Sequence, residues 1–176
     1  MNAGASAFWQ FSLRFYRQPE VPPICIALQD QHAVDVNLLF FILFLAVNGR
    51  RLTADDVRRI DACIRDWRTR VVQPLRAIRR ELKSGIAPID TQASEALRSE
   101  IKRCEQYAER LQQEMLERAF PAATIGKLNP ALDTAAANVA AYGTLIGALP
   151  AVAVQNLLRL FAEAFGNERG TNERGT

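Results

Sequence analysis

Ten consecutive apolar residues, LLFFILFLAV at positions 38–47, constrain this chain more than any other segment. A bilayer-crossing helix needs about 20 such residues, so the run is half a span. Yet a helix built from it has no polar face. Such a helix is stable only when other segments cover it on every side. Asp35 and Asn37 precede the run and Asn48-Gly49-Arg50-Arg51 follows it. Asp35 (or Asn37) is therefore expected as the N-cap, and Gly49 as the left-handed residue that ends the helix. The predicted fold is all-α: a single-domain bundle of six or seven helices over residues 1–166, built around a buried central helix and carrying a long antiparallel helical hairpin.

The composition allows this. With 49% hydrophobic and 23% charged residues in a chain of 176, there is material for a sizeable core, and wholesale disorder is excluded. A net charge of +3 permits an acidic partner without requiring one. Cys25, Cys63 and Cys104 are odd in number, widely spaced and without a CxxC pair. They read as buried free thiols of a reducing compartment. The first residues lack a basic segment followed by an apolar stretch and cleavage site, so no secretory signal is read and the cytoplasm is expected. Residues 134–158 carry no charge, but they are rich in Ala, contain Asn138, Gln155 and Asn156, and are interrupted by Pro150. No transmembrane segment is predicted there.

Capping signals and apolar spacing place the elements. The first helix is expected at 7–17 with Ser6 as N-cap, and its crowd of aromatic residues must lie in a groove. A short helical segment at 23–29 and a turn at 30–34 follow. Thr53-Ala54-Asp55-Asp56 is a helix start, with Thr53 as cap and the aspartates favouring the positive end of the helix dipole. Val57, Ile60, Ile64, Trp67, Val71, Leu75, Ile78 and Leu82 recur at three and four residues, giving one long helix with a kink or break before Pro74. Its antiparallel partner is predicted at 91–119, with Leu97, Ile101, Cys104, Ala108, Leu111 and Met115 inward. A loop at 120–128, a helix from Asn129-Pro130 to about 148 and a last helix from Pro150 to 165 complete the bundle. Gly143 and Gly147 are expected to let a neighbouring helix approach closely. The tail at 167–176, a tandem NERGT, is predicted to be disordered.

Few residues suggest chemistry. Asp30, His32 and Asp35 form the only acid–histidine grouping, but one histidine without HxxxH or paired-cysteine spacing supplies no metal site. No metal and no cofactor are expected, since neither a Walker loop nor a GxGxxG turn is present. Gln29, Asp30, Asp35 and Asn37 bracket two apolar segments, and either tie helix ends together or line a small pocket. Arg58, Arg65, Arg76, Arg79 and Lys83 form a basic face along the long helix, a candidate surface for phosphates or an acidic protein.

Phe8-Trp9-Gln10-Phe11-Ser12-Leu13 with Tyr16, then Leu28-Gln29-Asp30, Asp35-Val36-Asn37-Leu38-Leu39 and Asn48-Gly49-Arg50, resemble an uncharacterised proteobacterial helical family, the domain of unknown function numbered 2390. The resemblance lies in the first fifty residues; beyond them only helical organisation and length are similar. It implies a small bacterial, cytoplasmic, helical protein and brings no catalytic residues. The leading functional expectation is a non-enzymatic adaptor or accessory factor that acts through a protein partner. The alternative is a small-molecule-binding protein or enzyme with a pocket near Gln29, Asp30, Asp35 and Asn37. A third is nucleic-acid binding through the basic helix face.

Overall fold

Helix α3, Val36–Val47, is the axis of the structure, a computed structural model that describes residues 6–131, 133–147 and 149–166. Asp35 caps it, its carboxylate accepting the Leu38 N–H at 3.1 Å. Gly49, at φ 69°, turns the chain away beyond the other end. Leu38 to Leu43, Leu45 and Ala46 are buried, so the helix is covered on nearly all sides, as an all-apolar helix must be.

Its cover comes from both ends of the chain. Helix α1, Ala7–Tyr16, brings Phe8, Phe11 and Phe15; helix α8, Ala151–Phe165, brings Phe161 and Phe165. These rings pack with Phe40, Phe41 and Phe44 of α3, at 5.0 Å for Phe8–Phe41 and 4.6 Å for Phe11–Phe165. Each buried ring of this kind contributes about 1.5–3 kcal/mol by leaving water. Helix α7, Thr134–Ile146, packs on another side of α3 through Ala135, Asn138, Val139 and Tyr142. Gly143 has open space around it and mediates no close approach, and Gly147 lies beyond the helix end, contrary to the sequence expectation.

Helix α2 runs Val21–His32, longer than the predicted segment, because nothing between Ile24 and His32 breaks it. It ends at Ala33 in the left-handed region (φ 53°), where the Val34 N–H returns to the Leu28 carbonyl. Asp30 and His32 therefore lie in the last helical turn, not in a loop.

Helix α4, Ala54–Trp67, opens with a reciprocal capping box between Thr53 and Asp56. The chain then makes a π-helical turn at Arg68–Val72 and continues as α5, Gln73–Glu81. Pro74 explains this turn. It has no N–H to give and its ring crowds the carbonyl four residues back, so the helix widens and the Gln73 N–H reaches the Arg68 carbonyl instead. A short 3-10 turn, Leu82–Ser84, and a loop lead to α6, Thr91–Ala119, which runs back antiparallel to α4 and α5. Counting α4 to α5 as one helix, seven α-helices are present among the described residues. The predicted loop at 120–128 contains one strand of a two-residue antiparallel pairing, β1 (Arg50–Arg51) with β2 (Lys127–Leu128). Gly126 is required beside it: a Cβ there would come within 2.6 Å of the Arg51 carbonyl oxygen.

Two sequence expectations are corrected. The inward face of α6 carries Ser94, Glu105, Ala108, Gln112, Gln113 and Leu116, whereas Leu97 and Cys104 are exposed. The face turns because Glu105 and Gln112 find buried partners on neighbouring helices. Of the three cysteines only Cys25 is buried; Cys63 is exposed like Cys104. No helix among the described residues is long and apolar enough to cross a membrane. The predicted disordered tail lies outside the described residues.

Candidate functional site

A cleft of about 1020 Å³ opens between α1, the end of α2, the start of α3, the π turn with α5, and the middle of α6. Gln29, Asp30, Asp35 and Asn37, the four sequence-derived pocket candidates, all line it. Arg76 and Arg79, assigned from sequence to a basic outer face, line it too.

The inner wall is the start of α3. Asp35 accepts from Arg68 at 3.1 Å and from the Gln112 amide at 3.1 Å, while its own N–H donates to the Tyr142 hydroxyl at 2.9 Å. Arg68 is held at the same time by Asp61 at 2.7 Å. Burial pulls the Arg68 pKa down, and the bonds to Asp61 and Asp35 outweigh it, so the guanidinium is firmly charged. Burial and the nearby Asp35 carboxylate push the Tyr142 hydroxyl up, so it stays protonated. Next to this group, the Gln113 amide donates to Asn37 Oδ1 at 2.7 Å.

The hairpin side is a second ionic cluster. Arg76 donates to Glu105 at 2.8 Å and to Glu109, and Arg79 also donates to Glu105. Burial raises the Glu105 pKa, but the bonds from Arg79 and Arg76 prevail and leave it below the ordinary carboxylate value. Burial dominates at Glu109 and holds its pKa above that value despite Arg76. At the mouth, Arg80 bonds Asp30 and lowers its pKa.

The remaining walls are apolar or aromatic: Trp9, Leu13 and Tyr16 from α1, Cys25 and Ile26 from α2, and Phe40 from α3. Burial pushes the Cys25 thiol up to about 12, so it is a protonated apolar wall group and not a nucleophile.

One feature was not anticipated from sequence. Ser12, Gln112 and Gln113 are 5%, 1% and 4% exposed, and Ser12 Oγ, Gln112 Oε1 and Gln113 Oε1 have no hydrogen-bond partner among the described residues. All three side chains line the cleft. Buried polar atoms are nearly always paired, so three such atoms on one cavity are unusual. The signal was present: counting back from Leu116 by four gives Gln112 and then Ala108, so an amide sits in an apolar stripe. A shallower depression of about 420 Å³ near Thr53, Asp56, Phe120 and Ile125 differs, because Thr53 and Asp56 bond one another.

The basic face divides. Arg58 pairs with Asp55 and Arg65 with Asp61 on their own helix, Lys83 is exposed beyond α5, and Arg76 and Arg79 point into the cleft. The acid–histidine grouping also disperses, since Asp30 engages Arg80 and Asp35 engages Arg68. Among the described residues no group of three His, Cys, Asp or Glu side chains is placed to hold a metal.

The family model described as "Protein of unknown function (DUF2390)" matches residues 7–116, more than half of the chain. The chain belongs to this family. No curated protein and no solved structure matches it. The family match reaches well past the first fifty residues, through α4, α5 and nearly all of α6. Every wall of the cleft lies within it, whereas α7 and α8 lie beyond.

Proposed function

We propose that this protein binds a small amphipathic molecule in the cleft between α1, α3 and the hairpin. The observation that carries the reading is the set of three buried, unpartnered polar atoms, on Ser12, Gln112 and Gln113, lining one cavity of about 1020 Å³. Leaving each unbonded costs about 1–3 kcal/mol, a cost a bound molecule would offset. Size and mixed lining also suit a metabolite-sized guest.

The adaptor reading drew its positive support from an exposed basic hairpin. With Arg76 and Arg79 tied to Glu105 and Glu109 inside the cleft, that support narrows to outer cations that mostly pair on their own helix. Nucleic-acid binding loses the same arginines. Small-molecule binding is therefore preferred.

The test is a thermal melt of the full chain against a panel of charged and neutral metabolites. A true guest at about 100 times its Kd should raise the melting temperature by roughly 5–10 °C. Leu13→Trp, which fills the cleft from α1, should abolish the rise. If no compound moves the melt, the reading fails.

A further inference from the structure

The unpartnered atoms also restrict what the guest is, and the following rests on the cleft being a binding site. We propose that the guest presents an uncharged, hydrogen-bond-donating head group, of the primary-amide or urea type, to Gln112, Gln113 and Ser12, with an apolar body against Leu13, Tyr16 and Ile26.

The polarity follows from what is already used. The Gln112 amide nitrogen is committed to Asp35 and the Gln113 amide nitrogen to Asn37. What each glutamine offers is its carbonyl oxygen, a pure acceptor. The Ser12 hydroxyl adds a third group that accepts, and it can also donate once. Satisfying this set takes at least two N–H or O–H donors and at most one acceptor. A primary amide meets that requirement with two N–H groups and one carbonyl.

Charge argues against the two ionic alternatives. A carboxylate or phosphate head offers acceptors to acceptors, and the cleft's guanidiniums are already bonded: Arg68 to Asp35 and Asp61, Arg76 and Arg79 to Glu105. To gain an arginine, an anion must displace a carboxylate that is itself buried. An ammonium head has the needed donors, but it would lie in a low-dielectric cleft lined by those fixed cations, and the carboxylates that would neutralise it are taken. An uncharged donor meets neither penalty. The body of the guest is placed by the apolar wall, since Tyr16 and Ile26 are large side chains left 43% and 50% exposed at the cleft.

Three probes share one ring and one chain length and differ only in the head: 3-phenylpropanamide, 3-phenylpropanoate and 3-phenylpropylamine. Each is titrated into the full chain and followed by Trp9 fluorescence, since Trp9 lines the cleft, with Trp9→Phe as the control for the signal. The amide should bind about tenfold or more tightly than either ion, the difference expected for one or two buried hydrogen bonds. Gln112→Met with Gln113→Met should bring the amide to the level of the carboxylate. Ser12→Ala, which disturbs no existing bond, should weaken the amide severalfold and leave the ions unchanged. If the carboxylate or the amine binds as tightly as the amide, the head-group assignment is overturned while the cleft remains a site. If none of the three perturbs Trp9 or the melting temperature, both the assignment and the binding reading fall.

Discussion

Asn138 shows how a single polar side chain can hold a core together. It accepts the Leu52 N–H at 2.8 Å and donates to the Ile42 and Arg50 carbonyls at 3.0 and 2.9 Å, all in a buried setting. Asn138→Ala strands three backbone groups and should cost about 2–4 kcal/mol, read as a lower urea midpoint with an unchanged slope. Cys25 makes a prediction in pH. Its folded pKa is raised to about 12 from an ordinary 9.0, so the unfolded thiol ionises first. Its contribution is complete below pH 9 and is lost as pH rises from 9 towards 12. Cys25→Ala should flatten the alkaline decline, while Tyr16 and Tyr142, also raised by burial, keep part of the slope. Glu105 acts in the opposite direction. Its folded pKa is lowered, so its contribution is lost in acid, as pH falls below the ordinary carboxylate range. Residues such as Glu105, Gln112 and Asn138 were hard to assign from sequence because their roles depend on partners 29, 77 and 86 positions away.

At the scale of elements, the ends of helices were legible and their neighbours were not. Thr53 with Asp56, Asp35 before the apolar run, Gly49 after it and the irregularity before Pro74 are local effects within a few residues, and the structure contains each of them. Which face of α5 and α6 turns inward is not local. It is decided by the match of Arg76 and Arg79 to Glu105, which no periodicity encodes. The two caps also separate in energy. Thr53→Ala removes an exposed cap and should cost about 1 kcal/mol. Asp35→Ala removes a cap and leaves Arg68 short of a carboxylate in a poorly solvated place, so about 3–5 kcal/mol is expected. Asp35→Asn keeps an acceptor for Leu38 and should fall between them. If all three variants melt alike, Asp35 is only a cap and the inner wall of the cleft is not held by its charge.

Across the whole molecule, stability is distributed unevenly, and the cleft sits on the gradient. The continuous core runs from Phe8 through α3 to Phe165 and takes in Leu116 from α6, but nothing from α5 or from α6 before Met115. The outer part of the hairpin instead relies on ion pairs and leaves Ile78, Ile86, Ile89 and Leu97 exposed. Segments with few buried apolar contacts open at lower free energy than the core. Amide hydrogen exchange should therefore find α3 protected up to global unfolding, with α5 and the first half of α6 exchanging through smaller openings. The cleft lies between these regimes: its inner wall is the rigid start of α3, and its outer wall carries Arg76, Arg79 and Glu105 on the looser hairpin. A guest that bonds Gln112 and Gln113 while touching α1 links the two, so its binding should slow exchange in α5 and α6 far more than in α3. Equal protection of both regions without ligand would mean the hairpin belongs to the core after all, and would remove the reason to expect that asymmetry.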